Sequence, residues 1–318
     1  MGGGPAGRYL YRLLKLKRPG NEVVIFDKPS QTACGIKPCA WGVAWRNFAV
    51  LCREAGIDPE KYVLGRYRQI IAANFKVRSD IAIVDKSLFL RDLTAPVNPA
   101  DPSGADLSDF DRIVDATGSR QYLSRRGGEG FVDTVQVKIK IDVEDYPVVA
   151  PQRDGGYAWL FPLGKHEAHL GSLSTIGLET AAKLIGLAVP GLNKMDIVCA
   201  CKGRLWRGGL MAPFVEGNIW GLGESIGLVD PVPGAGIVSA MDSARVMVEQ
   251  WDDAAGYVKS LKQEYRYFAK EARIVAKLAS GQKPAIYDLI LPRRAFRNVG
   301  VEPTLRQLWF AVTRARGR

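Results

Sequence analysis

The chain has 318 residues, 47% hydrophobic and 24% charged, with 44 Lys+Arg against 33 Asp+Glu and a net charge of +11. That length allows two structural units at about 100–200 residues each, and the apolar content excludes global disorder. No run is apolar for long enough to cross a membrane, and no nucleic-acid-binding motif accompanies the basic surplus, so phosphate-bearing ligands and an anionic membrane face are the partners left to consider.

The first segment is a glycine turn, Gly2-Gly3-Gly4-Pro5-Ala6-Gly7, followed by RYLYRLLKLK, which predicts a helix of roughly ten residues. NEVVIFDK follows as a β-branched strand ending at Asp27. Residues 29–45 read as a loop, and Trp45, Phe48, Ala49 and Cys52 recur at helical spacing in a helix over Val43 to Glu54. Strand-like runs come at Phe75–Val77 and Ile81–Val84. The turn-rich NPADPSGADLSD then leads into FDRIVDATGSR, a short buried strand closed by a glycine turn. From 127 to 204, TVQVKIKIDV, YAWLFPL and AHLGSLSTI alternate as strands of an antiparallel sheet with one wet face. Residues 205–253 return to strand, glycine loop and long helix, and 254–318 read as a helical region with SLKQEYRYFAKEARIVAKL its clearest helix. Segments 1–126 and 205–253 thus form two parts of one α/β unit around the inserted sheet.

Gly2, Gly4 and Gly7 make G-x-G-x-x-G, and Asp27 lies 20 residues past the last of them. The first glycine makes a tight turn, the second lets backbone approach a pyrophosphate, and the third lets helix and strand pack closely. The helix then presents unpaired N–H groups and a positive dipole end to the phosphates, while Asp27 accepts ribose hydroxyls. Motif, helix, strand and acid at this spacing point to a dinucleotide. The fingerprint belongs after a strand, yet only Met1 precedes it. The expectation is a missing first strand, with the natural protein beginning upstream.

A second glycine loop carries its own chemistry. Gly223-Glu224 close a short strand with an acidic acceptor. Pro231, Pro233, Gly234 and Gly236 build a loop with little side-chain bulk, against which a planar ring can lie. A helix starting near Ala235 would aim its positive end at that ring. Three segments, DRIVDATGSR (111–120), GYAWLFPLGKHEAHLGSLS (156–174) and NIWGLGESIGLVDPVPGAGIVSAMDSA (218–244), together with the fingerprint, give the chain its family likeness. It resembles the geranylgeranyl reductase family of FAD-dependent oxidoreductases, relatives of the aromatic hydroxylase-type flavoproteins. Glu224 stands where that family has Asp.

The resemblance implies an α/β fold. A Rossmann-like FAD-binding domain with a parallel sheet is interrupted by an antiparallel β substrate domain and followed by a helical C-terminal tail. FAD would be held by Gly2, Gly4, Pro5, Ala6, Gly7, Asp27, Lys28, Cys39, Ala116, Gly118, Gly223, Glu224, Pro231, Gly234, Ala235, Gly236 and Ile237. Tyr157, Trp159, Phe161 and Pro162 would line the substrate, although by pattern alone they are ordinary sheet core. The implied activity is saturation of carbon–carbon double bonds in geranylgeranyl or polyprenyl chains, in an isoprenoid lipid or prenyl diphosphate. With no second G-x-G-x-x-G, the reductant would be transiently bound NAD(P)H or a ferredoxin. The alternatives are another FAD-dependent oxidoreductase or monooxygenase, and a non-catalytic paralogue.

Cys34 and Cys39 lack the further ligands of a zinc site, which leaves a redox pair, a loop-tying disulfide or free thiols. Cys39 resembles the family's cysteine beside the flavin and is the one catalytic candidate; a structural cysteine is the competing reading. Cys199 and Cys201 share a face if they lie on a strand. His166 and His169 fall on opposite strand faces near a solvated turn, so no metal site is expected. Arg120 reads as a surface residue. Sparse Asn (7) and Gln (9) give a faint thermophile-like bias. Leu305, Leu308, Trp309 and Val312 share a helix face beside Arg306, Arg314, Arg316 and Arg318. That face either docks on the protein itself or makes a peripheral membrane contact in an otherwise cytoplasmic protein.

Overall fold

In the computed structural model, which describes residues 1–28, 39–124, 130–142, 146–152, 155–173, 176–186, 197–282 and 290–314, the strands form two sheets. The smaller holds β4 (Ile113–Asp115), β10 (Val215–Glu216) and β11 (Ile219–Gly221), with β11 parallel to β4. Beside β4, the Met1 carbonyl accepts from Ala116 N (2.8 Å) and Gly2 N donates to the Phe26 carbonyl (2.7 Å). The expected strand at NEVVIFDK is therefore corrected to an extended segment with a single parallel bridge, Phe26 to Ala100.

The larger sheet runs in the order β1 (Gly42–Ala44), β3 (Phe75–Val84), β2 (Val63–Ala72), β6 (Val148–Pro151), β7 (Tyr157–Pro162), β8 (Glu167–Leu173), β5 (Phe131–Lys140), β9 (Ile197–Trp206), with β12 (Val301–Glu302) also on β3. All its pairings are antiparallel except β2 with β6. This sheet takes in strands from 42–84 and from 301–302 as well as from 127–204. The two runs expected at 75–77 and 81–84 are one strand. The polar Arg78-Ser79-Asp80 between them is paired by β12, with Val301 opposite Ser79. β2 joins β3 through Ala73 and Asn74, both at positive φ (51° and 68°), the backbone of a two-residue hairpin turn.

Helix α1 (Pro5–Lys17) packs on α5 (Ile237–Glu249), burying Tyr9, Leu10, Leu13 and Leu14 in the main core. α2 is shorter than expected, Trp45–Glu54, because Gly42–Ala44 pairs with β3. α3 (Lys86–Thr94) follows β3 directly, with the Asp85 carboxylate accepting from Leu88 N. α4 (Leu178–Leu184) covers one face of the large sheet over Leu160, Ala168 and Leu170. The expected single helix over SLKQEYRYFAKEARIVAKL is two, α6 (Ala254–Glu264) and α7 (Phe268–Ala279). The break at Tyr265 lets its hydroxyl donate to Asp242 (2.8 Å) while the ring is buried against Phe268. α8 (Ile290–Asn298) and α9 (Leu305–Arg314) complete the tail. On α9, Leu308 is buried whereas Leu305 and Trp309 are about half exposed. The side chains of Val312 and Arg314, and residues Arg316, Arg318 and Cys34, lie outside the described residues.

Two polar residues depart from expectation. Arg120 is a core residue, 2% exposed, whose guanidinium donates to the carbonyls of Ser124, Met211, Pro213 and Ser225 at 2.8–2.9 Å. The glycine turn that precedes it folds its side chain inward, and four loop carbonyls that no sheet satisfies converge on it. His166 is exposed and pairs with Asp142 (2.6 Å). His169, in contrast, is 1% exposed on β8, edge-on to Trp41, and burial lowers its pKa to about 4. Between about 4 and the ordinary value of 6.5, the unfolded chain binds a proton that the folded one refuses, so stability falls as pH drops through that window. The cost is about 3 kcal/mol when complete. Urea midpoints between pH 7 and 4 should show this slope in the wild type, flattened in His169→Phe; equal slopes would exclude His169 as its source.

Candidate functional site

Between the two sheets lies a cavity of about 2050 Å³, larger than the roughly 300–1,000 Å³ that single small ligands occupy. Its two ends differ in chemistry. One is polar and glycine-rich, built from Gly2, Gly3, Gly4, Pro5, Asp27, Lys28, Ala116, Thr117 and Gly118. The other is apolar, built from Ile70, Val77, Ile81, Phe161, Phe296 and Val301.

The polar end follows from the steric demands of the first motif. Gly2 adopts φ +107°, and a Cβ there would overlap the Ala116 carbonyl. A Cβ on Gly7 would overlap the Gly2 carbonyl, so α1 can start so close to β4 only with glycine at both positions. At Gly4 a Cβ meets nothing within 4 Å: the position opens into the cavity. Gly4 is the N-cap of α1, Pro5 is at N1, and no side chain caps the helix. α5 repeats the arrangement, with Gly236 as an uncapped N-terminus and Ile237, Val238 and Ser239 on the cavity wall. The two helices are held together where Gly223 fits between Ala6 and Ala240. Two positive helix ends thus open into one cavity, the electrostatics of an anion site.

Asp115 lies beneath this surface. Its carboxylate accepts from Thr117 N and Oγ1 (3.1 and 2.7 Å) and from Tyr122 N and Leu123 N (2.9 and 3.3 Å), shaping the turn that brings Ala116 and Gly118 to the cavity. Glu224 reaches the cavity with Oε1 accepting from Trp206 N (3.0 Å). Arg8 braces the glycine turn through the Gly3 carbonyl (2.7 Å). Lys86, the first residue of α3, is 7% exposed, lines the cavity and has no acidic partner among the described residues. An ammonium so placed is costly to bury without a counter-charge, and the cavity is where one can enter. These observations fit a ligand with a pyrophosphate and a planar, electron-accepting ring.

The apolar wall starts from β7. Tyr157, Trp159 and Phe161 share the cavity face of the sheet, whereas Pro162 lies off the cavity. Tyr157 donates to the Pro233 carbonyl (2.5 Å) and so touches the second glycine loop. Trp159 lies over Gly171, and Phe161 over Gly42, where any Cβ would collide with the ring. Of the other expected contacts, Gly7, Gly223 and Pro231 lie behind the wall, with Pro231 accepting from the buried Arg207 (2.5 Å). Gly2, Gly4, Pro5, Ala6, Asp27, Lys28, Cys39, Ala116, Gly118, Glu224, Gly234, Ala235, Gly236 and Ile237 all line it. The sequence reading overlooked Arg8, Arg46, Lys86 and Asp230, and the contribution of α7 and α8 through Ile274, Val275, Arg294 and Phe296. The Asp-Lys pair directly after an apolar strand was the available signal for Lys86.

Cys39 is a free thiol at the cavity, which removes a Cys34–Cys39 disulfide; Cys199 is disulfide-bonded, and Cys52 and Cys201 are buried and free. Burial pushes the Cys52 thiol up to about 12 and raises that of Cys201. Among these free thiols, an alkylating reagent applied to the folded protein is expected to modify Cys39 first, and a ligand that fills the cavity to slow that reaction. Peptide mapping by mass spectrometry reads both effects; equal labelling of Cys39 and Cys52 would contradict the arrangement.

No family model and no curated protein matches this sequence. Solved structures do match. A geranylgeranyl bacteriochlorophyll reductase-like protein from Thermoplasma acidophilum aligns over 100% of this chain and 95% of its own, at 17% identity and a TM-score of 0.72. The chain has the fold of the FAD-dependent oxidoreductases. PqsL, a probable FAD-dependent monooxygenase from Pseudomonas aeruginosa, aligns over 94% of this chain and 97% of its own (16% identity, TM-score 0.58). CmlS, a flavin-dependent halogenase, aligns over 99% of this chain and 70% of its own (16% identity, TM-score 0.62). In this flavoprotein fold the α/β class and helical C-terminal part expected from the sequence are both present.

Proposed function

We propose that the protein is an FAD-dependent reductase that saturates carbon–carbon double bonds of geranylgeranyl or other polyprenyl chains. The observation that carries this reading is a single cavity onto which two uncapped helix N-termini and an aromatic and aliphatic wall both open. Gly2 to Ala6, Asp27 and Lys28 would hold the dinucleotide end of FAD, and residues 233–237 its ring. When bound, reduced FAD supplies hydride to the substrate. The α5 N-terminus stabilises negative charge beside the second glycine loop. Tyr157, Trp159 and Phe161 exclude water from the chain being reduced and orient it along β7. Arg46 and Arg294 at the cavity suit a phosphate-bearing head group.

The reductant is NAD(P)H bound transiently or a ferredoxin. Among the described residues no helix is long and apolar enough to cross a membrane. A lipid substrate would be met at the membrane face, with the exposed Leu305 and Trp309 of α9 as the contact. The test has two stages. Purified protein is expected to be yellow with about one flavin per chain; colourless protein that takes up no FAD would favour a non-catalytic paralogue. Anaerobic reduction with geranylgeranyl diphosphate, followed by mass spectrometry, is expected to add a hydrogen pair per double bond. Oxygen insertion under air without saturation would assign a monooxygenase instead.

A further inference from the structure

The second glycine loop is held by a carboxylate that the dinucleotide reading does not use. Asp230 is 4% exposed and lines the cavity. Its carboxylate accepts from Val232 N (3.2 Å), its carbonyl from Gly234 N (2.9 Å), and its own N–H donates to the Ala235 carbonyl (2.9 Å). Against it lies Glu271 of α7, fully buried, and the two carboxyl groups face each other. No N–H or hydroxyl donates to either oxygen of Glu271 among the described residues. Two ionised carboxylates in contact in a dry site repel each other and lose their hydration, so such a pair keeps one proton between them.

The groups around the pair come from four elements. Arg207, after β9, donates to the carbonyls of Pro231, Gly155 and Val232 and faces Asp230. Tyr267, between α6 and α7, faces both carboxyls and accepts from Asn298 at the end of α8 (3.1 Å). Arg294 of α8 faces Glu271 and lies over the Tyr267 ring, 5.2 Å from its centroid. Loop residues 230–236 lead into the α5 N-terminus. Burial and the neighbouring carboxyl outweigh Arg294 at Glu271 and raise its affinity for a proton well above that of an ordinary carboxyl; at Asp230 burial outweighs Arg207 and raises its affinity as well.

From this geometry we propose that Asp230 and Glu271 share one proton and deliver it into the cavity beside the second glycine loop, as the acid of alkene saturation. The delivery step rests on the reductase reading; the shared proton does not. Saturation breaks the π bond and forms two C–H bonds. One uses a hydride with its electron pair, drawn from reduced flavin, which is thereby oxidised. The other uses the pair's one proton, which moves from Glu271 to Asp230 and passes from Asp230 to the substrate carbon. The pair is left with both carboxylates charged and regains its proton from water. Asp230 is the residue at the cavity, and Glu271 is a positioning residue that stores the proton behind it.

Infrared spectroscopy of the holoprotein with and without isotope-labelled Glu and Asp, titrated in deuterated buffer, tests the shared proton. A protonated carboxyl C=O band is expected at neutral pH in the wild type and its loss in Glu271→Gln, with Asp230→Asn shifting its position. Absence of the band, or a band unchanged in both variants, overturns the proposal. Both variants are expected to keep bound flavin, as read from the visible spectrum. In single turnovers with geranylgeranyl diphosphate, each is expected to slow saturation about 100-fold, the lower range for general acid catalysis, and to lose the wild-type decline at high pH. An unchanged rate and pH profile in both overturns delivery. A wild type that shows the band but saturates nothing refutes the reductase reading and the delivery step together, and leaves the shared proton standing.

Discussion

Gly4→Asp is expected to leave the fold as stable as the wild type and to abolish flavin binding at ordinary concentrations. The position is the uncapped N-cap of α1, in extended conformation (φ −76°, ψ −174°), and an added Cβ meets nothing within 4 Å. Aspartate is a better N-cap than glycine by a few tenths of a kcal/mol, so thermal stability of the apoprotein should hold or rise slightly. The new carboxylate stands where a pyrophosphate would approach, and like charges so placed cost several kcal/mol. Affinity for FAD should fall about 100-fold or more, since each 1.4 kcal/mol is a factor of about ten. Fluorescence titration with FAD and a melting curve on the same samples separate the effects. Unchanged affinity would mean that the first motif does not receive the phosphates.

Arg120→Met should do the opposite and act on folding everywhere. Its guanidinium joins the turn after β4 to Ser124, to Met211 and Pro213 before β10, and to Ser225 beside Glu224. Methionine fills much of the space but leaves those buried carbonyls without a donor, at about 1–3 kcal/mol for each orphaned group. Allowing for relaxation and non-additivity, a loss of about 4 kcal/mol or more is expected, a large share of a total that is typically about 5–15 kcal/mol. Arg120→Lys should fall between, because an ammonium has fewer donors than these acceptors require. Urea denaturation followed by circular dichroism gives the ordering; a loss below about 1 kcal/mol in Arg120→Met would show that water satisfies those carbonyls.

What could be seen in the sequence was what local sterics dictate. Gly7 is required by its contact with the Gly2 carbonyl in the same turn, and Tyr157, Trp159 and Phe161 face one way because strand side chains alternate. What could not be seen depends on partners far along the chain. The polar stretch at Arg78 to Asp80 looked like a gap between strands because β12, its partner, comes more than 200 residues later. Arg120 looked like a surface residue for the same reason: an arginine after a glycine turn carries no sign that carbonyls from 211–225 will surround it. The break at Tyr265 depends on Asp242 in another helix. Lys86 and the pair of Asp230 with Glu271 are buried ionisable side chains, and only the folded arrangement identifies them as such.

The hydroxyl of Tyr157 is the stitch between the apolar wall and the loop of residues 230–236. Binding energies are reciprocal between linked sites. A hydrocarbon chain that displaced the Tyr157 ring would act on the loop as well, and any change it made in affinity for the loop's occupant would be matched by the occupant's effect on the chain. One oxygen atom thus ties the aromatic wall of the cavity to the loop at the α5 N-terminus.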